Sequence, residues 1–311
     1  MKILDKNTFL IRLALVCLGL TALIVLLNYS IDIFGLFRGK KDRLIYVNER
    51  TSKYLFSYRY VPENFDGFII GPSLSDNLNP EKLKGFKIYN ASSMGANISD
   101  LNYLANNFLE KGKMKVAIIC LDPYLTKEFG KKSATIDPKE YWGALGSTNL
   151  FKTYLFAIAR NLGLTKPKYN TVGWHNYELD MAEINSEKAI KEKLKTRSAE
   201  TPATNPQADQ ELKETLQRFR ENNIKVIAYF TPVPYELYHL QYDGYRKYTQ
   251  YTSSYFTKDD ILMDLNDEKY KSYTKDYATY IDHGHLSAKG QQFVLSKIQE
   301  ALDSIHKKPT Q

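Results

Sequence analysis

The stretch Phe68-Ile69-Ile70-Gly71-Pro72-Ser73 is an apolar run that ends in a turn and a serine. Such a run, which here begins at Phe65, is typical of a short buried strand. Apolar runs of the same kind recur along the chain, at 85–89, 115–121, 224–230 and 260–265. Amphipathic helical patterns lie between or after them, at 98–111, 209–222 and 288–305. Apolar strands that alternate with helices predict a three-layer α/β/α domain, in which helices cover both faces of a parallel sheet.

Ser73 has a candidate partner in a second motif near the end of the chain, Asp282-His283-Gly284-His285. A serine at the end of a buried strand can be a nucleophile, and a histidine held by an aspartate can be its base. We predict a helix from Asn79-Pro80-Glu81, which would place the serine in a strand-to-helix turn. The competing interpretation is a serine that caps a helix and an Asp/His pair in an ordinary surface loop.

Two further positions follow predicted strands. The segment Asn90-Ala91-Ser92-Ser93-Met94-Gly95 comes after the second strand, and Asp122 comes directly after the third. In open α/β sheets, ligand sites lie beyond the carboxyl ends of the strands, so we expect both positions near Ser73. Gly95 would let a substrate carbonyl approach a bare backbone N–H, although a tight turn needs glycine just as much.

These motifs resemble the signature blocks of the SGNH/GDSL hydrolase superfamily. Gly71-Pro72-Ser73-Leu74-Ser75 looks like its Gly-Asp-Ser-Leu block, and the segment 90–95 resembles the block that carries its oxyanion glycine. The segment 282–285 is similar to its Asp-x-x-His block. The motifs stand in the order of the superfamily, and the resemblance covers roughly residues 65–305.

The resemblance implies a flavodoxin-like parallel sheet and serine acyl-transfer chemistry without a metal or a cofactor. It implies that Ser73 is the nucleophile, that His285 is its base and that Asp282 orients His285. The backbone N–H groups of Ser73 and Gly95 would stabilise the tetrahedral oxyanion.

The third block of the superfamily differs here. It usually reads Gly-x-Asn-Asp, with the asparagine donating to the oxyanion, whereas this chain has Cys120-Leu121-Asp122-Pro123-Tyr124. The loss of one such donor commonly costs about 3 kcal/mol of transition-state stabilisation. This departure, the N-terminal apolar segment and the sequence at 121–127 are similar to a membrane-anchored branch of the superfamily that acylates cell-surface polymers. The branch includes the teichoic acid D-alanyl transfer protein and the alginate O-acetylation proteins, which work beside a membrane-bound O-acyltransferase.

The N-terminal segment from Leu13 to Tyr29 has no charged residue, and about 20 apolar residues can span a bilayer as a helix. A cleaved signal peptide is the competing interpretation, but no small-x-small cleavage site follows the apolar run. We therefore predict an uncleaved signal anchor, with the rest of the chain outside the cytoplasm. Basic residues lie on both sides of the segment, so the positive-inside rule does not decide its orientation. We predict the outer side because a short basic N-terminus before a long translocated domain is the commoner arrangement.

The net charge of this 311-residue chain is +8, and about half of the excess lies in the first 43 residues. That position favours contact with lipid headgroups over nucleic acid, since no basic stripe with interleaved aromatic residues occurs. The two cysteines, Cys17 and Cys120, lie in the apolar segment and in a predicted strand, so we expect no disulfide between them.

The patterns divide the chain into three parts. A cytoplasmic tip and transmembrane anchor at 1–29 precede a juxtamembrane connector at 30–64 and an extracytoplasmic SGNH-like domain at 65–311. Residues 131–206 interrupt the alternation of strands and helices. One interpretation is an insertion that caps the core or binds a partner. The other is a plain crossover with a long loop.

We therefore predict a serine-dependent O-acyl transferase, chiefly for O-acetyl groups, or an acylesterase that acts on a cell-envelope or secreted polysaccharide. The expected partners are the polysaccharide and a membrane-bound O-acyltransferase, and not nucleic acid. Eleven tyrosines between Tyr235 and Tyr280 either stack on sugar rings or cover the sheet edge. Two alternatives stay open: a non-catalytic adaptor that binds polymer or the acyltransferase, and a lipid esterase at the membrane surface.

Overall fold

The computed structural model describes residues 6–128, 136–180, 185–200 and 203–307. Parts of the predicted cytoplasmic tip and of the predicted insertion lie outside these residues. The strands are β1 (Gly67–Ile70), β2 (Ile88–Asn90), β3 (Val116–Leu121), β4 (Lys225–Phe230) and β5 (Ile261–Asp264).

Within the described residues, the strands form one parallel sheet in the order β2-β1-β3-β4-β5. This is the flavodoxin-like order, in which the chain reverses direction across the sheet between β2 and β3. Gly67 of β1 pairs with Ile88 on one side and with Val116 on the other. The predicted α/β class and the predicted strands are confirmed.

Helices surround the sheet, and they begin and end as follows: α1 Lys6–Ile31, α2 Glu49–Ser57, α3 Tyr60–Asn64, α4 Ser73–Asp76, α5 Ile98–Lys111, α6 Glu140–Gly143, α7 Thr148–Asn161, α8 Ser186–Thr196, α9 Pro206–Glu221, α10 Tyr235–Leu240, α11 Tyr242–Ser253, α12 Lys271–Thr274 and α13 Ala288–Lys307. Single 3₁₀ turns lie at Pro80–Lys82, Pro123–Thr126, Tyr177–Leu179, Glu268–Tyr270 and Tyr277–Thr279.

Both faces of the sheet are buried. Phe68 and Ile70 of β1 belong to a core cluster shared with α2, α3, α5 and α9. Ile69, between them, belongs to a second cluster shared with α8, α10 and α13. Burying one such side chain contributes about 1.5–3 kcal/mol, and burial on both faces explains why the strands are apolar runs without alternation.

The helix predicted from Asn79 is wrong. Residues Pro80–Lys82 form one 3₁₀ turn, and the helix after β1 is α4, which begins at Ser73 itself. The Asn79 side chain does accept a hydrogen bond from the Glu81 N–H, at 3.1 Å. The turn ends there because Leu83 is extended and buried, and Gly85, at φ +89°, leads the chain into β2.

The predicted connector at 30–64 is part of the folded domain, so the structure does not divide the chain at residue 65. Leu55 and Phe56 of α2 and Tyr60 of α3 are fully buried in the first core cluster. The sequence pattern did not indicate this because α2 also buries polar side chains, which interrupt its apolar face.

Helix α1 is long, apolar and exposed. Within Asn7–Ile31, the most apolar 18 residues have a mean hydropathy of 2.7 and are not buried inside the protein. By length and composition, such a helix at the N-terminus is a membrane anchor or a signal sequence. The end of α1 joins the folded domain. Asn28 of α1 and Asp32, the residue after α1, are buried, and Asp32 pairs with Arg43 at 3.2 Å.

Candidate active site

The turn after β1 carries Ser73 to the carboxyl edge of the sheet. Glycine is required at position 71, because a Cβ there would lie 2.6 Å from Cys120 Cβ and still closer to Ser75 Oγ. Pro72 is extended, and Ser73 is the first residue of α4, which no side chain caps. The Ser73 N–H therefore belongs to the first turn of a helix, where backbone donors have no acceptor within the helix.

Ser73, His285 and Asp282 form one hydrogen-bonded chain. His285 Nε2 lies 3.0 Å from Ser73 Oγ, and His285 Nδ1 lies 2.7 Å from Asp282 Oδ2. Asp282 Oδ1 accepts hydrogen bonds from the backbone N–H groups of Gly284 and His285, at 2.8 and 2.7 Å. When Nδ1–H donates to the carboxylate, Nε2 is free to accept the serine proton, which is the arrangement that a general base needs.

The Asp282 carboxylate keeps its charge in acid. Burial alone would raise its pKa, but the hydrogen bonds and charge of His285 and the backbone N–H of Gly284 lower the pKa to about 2. A carboxyl whose pKa is lower in the folded than in the unfolded protein stabilises the fold above its unfolded pKa. That stabilisation is lost as the pH falls through the folded pKa.

We expect Asp282→Asn to lower the free energy of unfolding at pH 7 by on the order of 2 kcal/mol, the equivalent of this pKa shift. The difference between the wild type and the variant should shrink as the pH falls from about 4 to about 2, because the wild-type carboxyl then binds its proton. Urea unfolding at a series of pH values measures this difference. A difference that stays constant down to pH 2 would contradict the depressed pKa.

Gly95 lies in the wall of the same cavity as Ser73 and His285, and the cavity has a volume of about 630 Å³. Its φ of +64° is in the left-handed region, which suits glycine. The preceding residue is held from both sides by α2: Arg50 Nε donates to Met94 O at 2.7 Å, and Glu49 Oε2 accepts from the Met94 N–H at 3.2 Å. The structure thus brings together every residue that the sequence motifs singled out as catalytic.

Because the sequence motifs predict that the Gly95 N–H is an oxyanion donor, we expect Gly95→Ala to lower kcat about tenfold or more, as a displaced donor weakens transition-state binding. The added Cβ would lie 2.6 Å from Arg50 Nη2, so the guanidinium that donates to the Met94 carbonyl would have to move. Gly163→Ala is the matched control, because Gly163 also has a positive φ, +73°, but open space around it. Both variants should lose stability, and only Gly95→Ala should lose kcat. Equal kcat values in the two variants would contradict a role of this loop in catalysis.

Asp122, after β3, lies in the cavity wall. Its Oδ1 accepts a hydrogen bond from the Tyr124 N–H at 2.9 Å. Burial raises the pKa of this carboxyl, against the opposing effects of that hydrogen bond and of Arg197. An ionised carboxylate cannot donate to an oxyanion, whereas a protonated carboxyl can.

A buried ionic network, formed by Glu49, Lys53, Asp76 and His175, lies under the candidate site. Lys53 Nζ lies 2.6 Å from Asp76 Oδ1 and 2.9 Å from Glu49 Oε1. His175 lies between two carboxylates, with Nδ1 3.0 Å from Asp76 and Nε2 2.6 Å from Asp180. Burial raises the pKa of Glu49. Lys53 and His175 overcome the effect of burial at Asp76 and lower its pKa.

The buried network reaches Ser73 and His285 through Tyr177. The Tyr177 hydroxyl lies 3.0 Å from Asp76 Oδ2 and 3.2 Å from the Ser73 carbonyl oxygen, and its ring meets the His285 imidazole edge-on. No sequence motif predicted these residues as part of the site. The one pattern that could have indicated an ion pair is the four-residue spacing of Glu49 and Lys53, which is equally typical of an exposed helix.

Three members of the buried network, Glu49, Asp76 and His175, lie close enough together to hold a metal ion. However, the Lys53 ammonium lies between the two carboxylates, and their charges raise its pKa in spite of burial. The Lys53 ammonium therefore already supplies the positive charge that a metal ion would bring to these carboxylates. The absence of metal and cofactor chemistry stays a prediction.

The predicted insertion contributes to the cavity. Lys193 of α8 lies in the cavity wall, and so does Arg197, the first residue after α8. Arg197 Nη2 donates to the Tyr245 hydroxyl at 2.9 Å. Tyr245 also lines the cavity, whereas Tyr248 and Tyr255, two others of the eleven tyrosines, are buried in the first core cluster.

The sequence matches no protein-family model, and no curated protein matches it. Solved structures that are similar in fold include a presumed platelet activating factor from Streptococcus pneumoniae, with 12% identity, a TM-score of 0.43 and coverage of 82% of this chain and 90% of the other. Another is a presumed acylhydrolase from Bacteroides fragilis, with 14% identity, a TM-score of 0.37 and coverage of 77% and 86%. At these scores and identities, neither likeness bears on the activity of this chain.

Proposed function

We propose that the protein is a serine-dependent acyl transferase or acylesterase of the SGNH type. The hydrogen-bonded chain Ser73–His285–Asp282, open to a cavity of about 630 Å³, is the observation that carries this proposal. A serine hydroxyl within 3.0 Å of an imidazole whose other nitrogen is held by a carboxylate is the arrangement of an activated nucleophile.

In the proposed reaction, Ser73 Oγ attacks the acyl carbonyl while His285 Nε2 takes the serine proton. The tetrahedral oxyanion accepts hydrogen bonds from the N–H groups of Ser73 and Gly95. Collapse of this intermediate breaks the bond to the leaving group, which receives the proton from His285. A hydroxyl of a polysaccharide, or water, then attacks the acyl-serine and restores the enzyme. Asp282 keeps the imidazole in the tautomer that these proton transfers need.

The proposed setting is the outer side of the cytoplasmic membrane. If α1 is retained as an anchor, it holds the cavity near the cell surface, where cell-envelope or secreted polysaccharide is the acceptor. The acyl group, in our proposal chiefly acetyl, would come from a membrane-bound O-acyltransferase. Lys193 and Arg197 would then lie beside the acceptor.

A non-catalytic adaptor is the second candidate function, and Asp122 is the observation that favours it. With its carboxyl ionised, Asp122 would oppose an oxyanion in the cavity, and the protein would bind polymer or an acyltransferase without turnover. With its carboxyl protonated, Asp122 would donate a hydrogen bond, and turnover would be retained.

Trapping of the acyl-enzyme decides between the two candidates. The full-length protein in detergent micelles is incubated with 4-nitrophenyl acetate and quenched in acid, and its peptides are analysed by mass spectrometry. We expect one acetyl group on the peptide that contains Ser73, and release of nitrophenol in a burst. Labelling of lysines alone, without acetyl-Ser73 and without a burst, would leave the adaptor as the function.

A further inference from the structure

We propose that α7 lies on the membrane surface, with one of its faces in contact with lipid. The face is an exposed apolar stripe of four residues, named here the α7 stripe: Phe151, Leu155, Ile158 and Leu162, the last of which directly follows the helix. Their solvent exposure ranges from 49% to 68%, which is unusual for large apolar side chains that lie side by side.

The α7 stripe occupies one side of the helix because its members are spaced by four, three and four residues. A different side of α7 faces the protein, where Leu150 and Thr153 are buried. The helix therefore has two apolar faces, and the fold covers only one of them. A helix of an ordinary soluble protein would carry polar residues at the stripe positions.

Direct contacts tie α7 and the loop before it to the end of α1. Asn28 of α1 donates to the Leu145 carbonyl and accepts a hydrogen bond from the Tyr154 hydroxyl, at 2.8 Å. A Cβ built on Gly146 would lie 3.6 Å from Ile24 Cγ2, so the chain passes directly beside α1 just before α7 begins. The α7 stripe is therefore next to the proposed membrane-spanning helix.

The position of these contacts along α1 sets the depth of α7. Ile24 lies seven residues before the end of α1 at Ile31, which is about 10 Å along a helix axis. No charged residue lies between Arg12 and Asp32, and about 20 residues span the hydrocarbon. Because Ile24 is about 10 Å inside the end of that apolar stretch, Gly146 beside it lies within about 10 Å of the boundary between headgroups and acyl chains, and α7 begins two residues later.

Surrounding residues suit the same boundary. Trp142, at 69% exposure, precedes α7, and tryptophan is enriched at membrane interfaces. Lys152 and Lys166 are exposed, and lysines near the surface are attracted to anionic headgroups. Helices of this kind lie in the plane of the interface with the apolar face buried about 5–10 Å. Lipid is therefore the occupant of the stripe, provided that α1 is retained as an anchor.

Site-directed spin labelling of the full-length protein in liposomes of phosphatidylcholine and phosphatidylglycerol tests the proposal. A label on the native Cys17, which is exposed in α1, measures the depth of the proposed membrane span. Cys120 is buried, so we expect it not to react with the label. With Cys17 replaced by alanine, labels are placed at Phe151→Cys and Leu155→Cys. Leu179→Cys is the matched control, because Leu179 is an exposed leucine, at 44%, outside α7.

We expect the labels at 151 and 155 to be several-fold more accessible to oxygen than to an aqueous nickel chelate, and less deep than the label at Cys17. The label at 179 should show the reverse preference. Labels at 151 and 155 that behave like the label at 179, while Cys17 is in lipid, would overturn the proposal and leave a protein partner as the occupant. A Cys17 label in water would overturn it as well, since α1 would then not be inserted.

Discussion

Replacement of Ser73 by alanine should reduce the hydrolysis of 4-nitrophenyl acetate by roughly 10³-fold or more. Ser73 Oγ is the only atom in the hydrogen-bonded chain that can form the acyl-enzyme, and it lies 3.0 Å from its base. Steady-state release of nitrophenol measures the effect. The fold should be unchanged, because the change removes one hydroxyl group from a partly exposed side chain.

Ser254→Ala is the matched control for this experiment. Ser254 lies just past the exposed end of α11, and its hydroxyl donates only to the Tyr251 carbonyl within the described structure. The control should keep full activity. His285→Ala should lose nearly as much activity as Ser73→Ala, and the double variant should be no slower than either single variant, since residues that act as a unit are non-additive. Full activity in Ser73→Ala would refute the proposed enzyme.

Replacement of Lys53 by methionine should lower the free energy of unfolding by about 3–5 kcal/mol. Lys53 and Asp76 have side chains that are only 1% and 0% exposed, so methionine would leave the Asp76 carboxylate buried without the Lys53 ammonium, although its contacts with His175 and Tyr177 would remain. The change also removes the hydrogen bond from Lys53 Nζ to the Ser92 carbonyl, in the loop that carries Gly95. Urea unfolding of the full-length protein in detergent micelles measures the loss.

Lys191→Met provides a control of the same chemistry. Lys191 pairs with Glu187 four residues earlier, as Lys53 pairs with Glu49, but the Lys191 pair is exposed. Solvent screens an exposed pair, so this variant should unfold like the wild type. If the Lys53 and Lys191 variants were equally stable, the buried network could not be holding α2 against the loop that carries Gly95.

The side chains proposed to be catalytic could be singled out because each lies in a local pattern. Ser73 follows an apolar strand, and Asp282 and His285 belong to one short loop, so the sequence places each of them without knowledge of the rest of the fold. The role of α2 could not be predicted in the same way. Glu49 and Lys53 have the spacing of a solvent-exposed ion pair, and only their packing against Asp76 and Met94 reveals that they are buried.

Helix α7 is a similar case, since its spacing predicts an amphipathic helix but not which face meets the protein. The hydrogen bond between Tyr154 and Asn28, together with the burial of Leu150 and Thr153, leaves Phe151 and Leu155 exposed.

The sequence by itself determined the layered α/β class, the strands and the chemistry available at their ends, because these depend on the periodicity of neighbouring residues. Only the tertiary structure decided that Ser73 and His285, 212 positions apart, meet at 3.0 Å. It also decided that the connector belongs to the core and that α7 lies beside the apolar end of α1. These facts depend on contacts between distant segments, which no local pattern of residues encodes.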